Sequence, residues 1–241
     1  MFTTNLLLAK VHRFAEQISI KNGRKIQWYP LGLSTQNTVM IKKVLHIISS
    51  PRGEASISKK LGDAIIEKIK AKYPGSIVKE RNLTTNHFPH LDELQIGSWF
   101  TPAENRSGEQ ADAIKYSDEA ITEMQEADIY VIGAPFYNFA IPSTLKAYLD
   151  HIARPGITFR YNEEGKPEGF LKNKKAYVAT ASSGVYSTGE FQSFDFVSPY
   201  LKFLLGFLGI IDISIIRVEG LKIDGIKEVA FEKGVESIAI D

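Results

Sequence analysis

The chain contains no cysteine. That excludes disulfides, a thiolate nucleophile and any cysteine-ligated metal centre. It also fits a reducing compartment, so a cytoplasmic location is expected. Long hydrophobic runs are missing too. The strongest apolar stretch, residues 201–216, is interrupted by Gly206, Gly209 and Asp212, and a spanning helix needs roughly 18 uninterrupted apolar residues. A membrane is therefore not an expected partner. Charge of one sign is not in excess: 29 basic side chains face 28 acidic ones, leaving +1. This removes the electrostatic case for nucleic acid as a partner, and for an acidic electron carrier. No GxGxxG run follows any apolar segment, and the loop after the first such segment has only Gly53. A lysine-bearing phosphate loop of the GxxxxGK type is absent as well. Internal repeats and low-complexity tracts are not found.

What remains is a chain of 241 residues, 44% of them hydrophobic, long enough to bury a sizeable core. Residues 1–39 differ from the rest. Lys10, Arg13, Lys21, Arg24 and Lys25 face a single acid, Glu16, and the one compact apolar piece, residues 6–9, is too short for a secretory signal. The expectation is an atypical extension at 1–39, with 40–241 folding and binding ligand alone. A basic transit peptide is the competing interpretation.

From there, apolar runs of strand length alternate with helical patterns. Residues 44–48 are apolar and rich in β-branched side chains, as a buried parallel strand requires. A helix is expected from Ser58, with Leu61, Ile65, Ile66 and Ile69 on one face. Tyr73-Pro74-Gly75 stops it. Further strands are expected at 76–80, 128–133, 175–180 and 211–218, and helices near 92–99, 110–124, 199–208 and 226–238. Ser143 is expected to cap another helix bearing Leu145, Tyr148, Leu149 and Ile152. Residues 158–169 suggest a hairpin or a long loop. The alternation predicts an open parallel sheet covered on both faces.

Ligands of such sheets bind where strand order reverses, beyond the carboxyl ends of the strands. The first strand runs into a hydroxyl-rich loop, residues 49–58, and then a helix N-terminus whose free amides and positive dipole end suit a phosphate. The third strand runs into residues 135–142, with aromatic surface, an amide and bracketing prolines. The fourth runs into residues 180–186, with small side chains that let backbone approach a flat ring. One phosphate, one planar heterocycle and one close-packed edge suit flavin mononucleotide, FMN, better than an adenine dinucleotide.

The pattern SSxxxxxSxS after the first strand, P-x-YNF after the third, and ITFRY at 157–161 resemble the FMN-dependent NADH:quinone oxidoreductases, also called azoreductases, of the flavodoxin-like NAD(P)H quinone oxidoreductase group. The resemblance runs from Met40 to about Asp241. It implies a flavodoxin-like three-layer sandwich with five parallel strands in the order 2-1-3-4-5. It implies FMN contacts at Ser50, at Ser56, Ile57 and Ser58, at Phe136, Tyr137, Asn138 and Phe139, and at Ala181, Ser182, Ser183 and Gly184. Two positions depart from the family pattern: Ala181 lacks a hydroxyl, and Ser183 replaces a glycine. The resemblance further implies a homodimer, with NADH or NADPH as donor and a quinone or azo compound as acceptor. Hydride passes through FMN in two half-reactions, so no side-chain nucleophile or metal is required. Backbone amides of the 137–139 loop and the Asn138 amide are the expected flavin contacts, with Tyr137 and Asn138 supporting the chemistry. Residues 186–199, rich in aromatics, are the candidate roof over the partner's pocket.

Competing interpretations are weighed beside these. Residues 49–58 also read as a plain loop ending in a helix cap, and Phe136 and Phe139 as core aromatics. His87-Phe88-Pro89-His90 with Asp92 invites a metal reading, but proline interrupts it and no matching second cluster follows, so no metal site is expected. Asp150-His151 lacks a GxSxG elbow, and His151 reads as a helix-surface or interface residue. On the same fold, a flavin-binding electron-transfer module or a regulatory domain without NAD(P)H oxidation is the alternative function.

Overall fold

A computed structural model describes residues 41–241. The extension expected at 1–39 lies outside the described residues. Strands β1 (Lys43–Ile48), β2 (Ile77–Asn82), β3 (Ile129–Pro135), β6 (Lys175–Ala181) and β7 (Asp212–Val218) form one sheet, and β4 (Phe159–Tyr161) pairs with β5 (Pro167–Gly169) in a separate hairpin. The sheet order is β2-β1-β3-β6-β7, and its pairings are all parallel. Counting only sheet strands, this is the expected 2-1-3-4-5. Strand order reverses at β1, whose neighbours are β2 on one side and β3 on the other. The register places Ile48 opposite Gly133 and Pro135 opposite Ala181, so β1, β3 and β6 end side by side.

The strands alternate their side chains between two apolar layers, as a period of two demands. On one face Val44, Ile129, Val131, Tyr177, Ala179 and Ile216 pack under α1 (Ile57–Lys72), which contributes Leu61, Ile65, Ile66 and Ile69. α6 (Ala230–Glu236) completes this layer. On the other face Leu45, Ile47, Tyr130, Ile132 and Val178 meet α3 (Gly108–Glu126), α4 (Ser143–Ile152) and α5 (Ser198–Phe207). Burying both faces explains why β3 is apolar at nearly every position. Removing one such side chain, Leu61 or Ile65, to alanine costs about 2–5 kcal/mol.

Local chemistry sets the helix starts. Asp92 opens α2 (Glu93–Phe100) with a capping box completed by Gln95, and Ser107 opens α3 with one completed by Gln110. α1 begins at Ile57, with Ser56 as its cap, one residue ahead of the expected Ser58. Ser143 does not cap α4. It is the first helical residue, and Pro142 holds the cap position without a side-chain bond. Proline's fixed φ sets the entry there, which leaves the serine side chain free of that role. The last helix is shorter than expected, because residues 226–229 make turns after Gly225, at φ +80°, and Ala230 is the first helical residue. His151 is also not a surface residue. It is fully buried on α4, its Nε2 lies 2.9 Å from the Pro89 carbonyl, and Phe88 meets its ring edge-on. Burial holds its pKa below the usual histidine value, against the Pro89 hydrogen bond. Among the described residues no helix is long and apolar enough to cross a membrane.

Candidate functional site

The first strand-end loop leaves β1 through Ser49, whose Oγ donates to the Gly133 carbonyl at 2.6 Å and ties the loop to β3. Ser50 is buried and accepts from the Arg52 amide at 3.4 Å. A short 3₁₀ turn, Gly53–Ala55, brings the chain to Ser56. Ser56 Oγ accepts from the Lys59 amide at 3.2 Å and lies 3.1 Å from Ser58 Oγ. Both hydroxyls are buried. A hydroxyl pair at a helix start, beside first-turn amides that have no intrahelical acceptor, forms a cluster of donors for an anion.

The second loop is a tight turn. Tyr137 and Ala140 exchange amide-to-carbonyl bonds of 3.0 and 3.1 Å around Asn138 and Phe139, whose φ values are +51° and +70°. Non-glycine residues rarely hold this left-handed conformation, and a bulky one costs about 1–2 kcal/mol to keep there. The turn engages the Tyr137 amide, while the amides of Asn138 and Phe139 donate no hydrogen bond among the described residues. The Phe136 amide donates to Ala181 O at 2.9 Å, which fastens this loop to the third one.

In the third loop, the Ser182 amide donates to Val218 O and its Oγ to Gly184 O at 2.8 Å. Above it, Tyr186 stacks on Phe136 with ring centroids 4.9 Å apart and meets Phe139 edge-on. The Tyr186 amide is fixed by Glu219 Oε1 at 2.8 Å. Asp195 anchors the aromatic segment that follows. It accepts from the amides of Val197 and Ser198, and from Arg217 Nη2 at 2.8 Å. Burial opposes its charge, but the Ser198 and Arg217 bonds hold its pKa below the usual carboxylate value.

Two cavities meet at Tyr137. The smaller, about 130 Å³, draws on all three loops, including Arg52, Ser56, Ser58, Phe136, Ala181 and Ser183. The larger, about 1050 Å³, lies across the turn, with Asn138, Thr144, Lys146, Phe196 and Tyr200 in its wall. Lys146 bonds Asp150 at 2.5 and 2.7 Å, and this partner keeps its pKa above the ordinary lysine value despite the burial that opposes it.

Of the residues singled out from sequence, Ser56, Ile57, Ser58, Phe136, Tyr137, Ala181, Ser182 and Ser183 line the smaller cavity. Tyr137 and Asn138 line the larger. Ser50, Phe139 and Gly184 line neither; Phe139 is 49% exposed rather than part of the core. Sequence reasoning missed Arg52, Pro135 and Leu221 in the smaller wall, and Thr144, Lys146 and Tyr200 in the larger. Arg52 and Pro135 sit inside the loops already identified and were within reach. The others come from helices and a distant turn, where no local pattern marks them.

Comparison with known proteins places this geometry. A family model described as Flavodoxin-like fold matches residues 42–239. An FMN-dependent NADH:quinone oxidoreductase of Herminiimonas arsenicoxydans is 48% identical over 179 residues, covering 74% of this chain and 87% of the relative. A Pseudomonas aeruginosa protein of the same designation, numbered 3, is 42% identical, covering 75% and 83%. Among solved structures, an azoreductase of Bacillus anthracis superposes with a TM-score of 0.75 at 30% identity, covering 81% of this chain and 96% of that one. A second B. anthracis structure, an FMN-dependent NADH-azoreductase in complex with FMN, gives 0.73 at 28% identity, covering 82% and 97%. With its fold, the reversal of strand order at β1 and these relatives in agreement, the chain belongs to the flavodoxin-like family of FMN-dependent NADH:quinone oxidoreductases and azoreductases.

Proposed function

We propose that this protein is an FMN-dependent NAD(P)H oxidoreductase that reduces quinones by two electrons and cleaves azo compounds reductively. The observation that carries the proposal is the convergence of three strand-end loops on one cavity, with a buried hydroxyl pair at a helix N-terminus on one wall and small residues on the other. These residues fit the group. Ser56, Ile57 and Ser58 would hold the phosphate with hydroxyls and first-turn amides. Residues 136–139 and 181–184 would hold the planar ring, which is too large for the 130 Å³ cavity alone and needs the face of the 137–140 turn.

Bound FMN would supply two-electron redox chemistry between NADH or NADPH and the acceptor. The chain binds, orients and shields. The Asn138 and Phe139 amides, left unpartnered by the left-handed turn, would be donors to negative charge on the ring edge. The Asn138 side chain adds an amide for hydrogen bonding on the side of the larger cavity. That cavity, with mostly apolar walls that include Phe196, Pro199 and Tyr200, suits a flat, weakly polar acceptor. Ala181 contributes backbone only, so the loss of a hydroxyl there leaves the amide and carbonyl positions intact.

The working unit in this proposal is a cytoplasmic homodimer, in which the partner's aromatic segment 186–199 closes the pocket, and residues 40–241 carry folding and cofactor binding without 1–39. Exposed aromatics at Phe191, Phe194 and Phe196 give that segment a surface to bury. The decisive experiment is an absorbance spectrum of the purified protein followed by anaerobic titration with NADH. Bound FMN that bleaches and is restored by quinone is the expected result. A colourless protein that stays so with added FMN refutes the proposal. Flavin that binds but is not reduced by NADH or NADPH indicates an electron-transfer module instead.

A further inference from the structure

On the α1 side of the sheet, away from the three loops, one side chain has no evident purpose. His46 projects from the middle of β1 into the apolar layer and is fully buried. Neither ring nitrogen has a hydrogen-bond partner among the described residues. A buried imidazole with both nitrogens unengaged is costly, and it calls for an explanation.

Its surroundings supply one for Nδ1. Nε2 is pressed against α1 at Gly62, where even a Cβ would come within 2.6 Å of it. The absence of a side chain there lets the ring sit, and it turns Nδ1 the other way. Nδ1 faces Asp63 Oδ1 of α1 at 3.8 Å and Glu80 Oε1 of β2 at 3.7 Å. The three ligand atoms lie within 4.8 Å of one another. These distances exceed a hydrogen bond, so neither carboxylate takes a proton from the ring. They are close to the spacing of ligands around a bound cation: in a tetrahedral site with bonds of about 2.1 Å, neighbouring ligands sit roughly 3.4 Å apart. The two carboxylate side chains, 43% and 59% exposed, have room to move inward toward a shared ion. Lys59 is the other charge facing the group. Its Nζ donates to the far oxygen of Asp63, Oδ2, at 3.1 Å, and so orients Oδ1 toward His46 in the way outer hydrogen bonds orient metal ligands.

We propose that His46, Asp63 and Glu80 form a site for a first-row divalent cation such as zinc. One imidazole and two carboxylates, with no thiolate, suit a borderline ion with water in its remaining positions. The ion takes no part in electron transfer. It clamps α1 to the adjoining strands β1 and β2, through one ligand from each of the three elements. The site departs from the sequence-based expectation of no metal, since its three ligands come from three separate elements and make no local motif.

The test is equilibrium dialysis of the full, untagged chain against zinc, with metal analysis and thermal melting. One zinc per chain and a raised melting temperature are expected. Glu80→Gln, on an exposed side chain that threatens no core, should weaken binding roughly tenfold or more, and Asp63→Asn likewise. His46→Phe should abolish it, while His90→Ala leaves it unchanged. A wild-type chain that binds no zinc overturns the proposal. So does zinc binding that survives Glu80→Gln and His46→Phe undiminished.

Discussion

The two edges of the sheet are built from similar polar material and use it in opposite ways. At the amino ends of the strands several charges are engaged within the fold. Lys175 bridges Asp212 at 3.1 Å and Asp241 at 2.8 Å, Lys174 donates to the carbonyls of Gln125 and Ala127, and Asp128 accepts from the Lys43 amide. Nearby, the buried carboxylate of Glu123 takes Lys79 at 2.9 Å and Arg81 Nε at 2.9 Å. At the carboxyl ends, by contrast, helix-start amides, a hydroxyl pair and the tip amides of a strained turn have few partners among the described residues. A cavity of about 620 Å³ exists at the amino edge too, larger than the 130 Å³ space at the loops. Although the 1050 Å³ cavity beside it is larger than either, size alone therefore does not pick out the 130 Å³ space where the three loops meet. Unengaged hydrogen-bonding capacity, held in place by rigid elements, does.

The comparison can be broken most severely at the engaged edge. Glu123→Ala leaves Arg81, whose side chain is only 10% exposed, with Glu119 alone, and leaves Lys79 unpaired. A loss of about 3 kcal/mol in denaturant unfolding is expected, with FMN affinity of the folded protein unchanged. The complementary change at the carboxyl edge is Ser56→Ala with Ser58→Ala. Removing both hydroxyls should weaken FMN by about 2 kcal/mol, roughly thirtyfold in Kd by fluorescence titration, while the loss of the Ser56 cap costs about 1 kcal/mol of stability. Unaltered FMN affinity would remove this loop from the site.

A third change separates positioning from binding. Asn138→Ala should leave affinity close to wild type and move the potential of bound flavin to more negative values, because a donor to the reduced ring is lost. Redox titration reads this directly. The smallest effect concerns pH. Burial lowers the His151 pKa below its ordinary value of 6.5, so the folded state favours the neutral ring. Its contribution is complete above pH 6.5 and is lost as pH falls from there through the depressed value. Melting temperatures across that window should decline less in His151→Phe than in wild type.

The layout of the fold was legible because buried parallel strands are written as near-continuous apolar runs, and β3 and β6 are examples. The capping box at Asp92 was equally local. Ser143 and His151 were misread for the same reason: in each case a residue outside the local window decided the outcome, Pro142 by fixing the backbone and Pro89 by offering a carbonyl to a buried ring. The loops of the candidate site could be found because each follows directly on a strand. The walls of the larger cavity could not, since Thr144, Lys146 and Tyr200 are brought there by helix packing. Left-handed backbone at Asn138 and Phe139 was also invisible, because tertiary contacts over-determine that turn, against the intrinsic preference of phenylalanine.

One strand has a consequence for the chain in crowded solution. β2 forms an outer margin of the sheet and carries Lys79, Glu80 and Arg81 in succession. A foreign β-segment seeking to extend the sheet there would have to accommodate three consecutive charged residues, two of them tied to α3. The margin thus acts as a guard against runaway strand addition, and it lets the protein accumulate without seeding fibrils from that side.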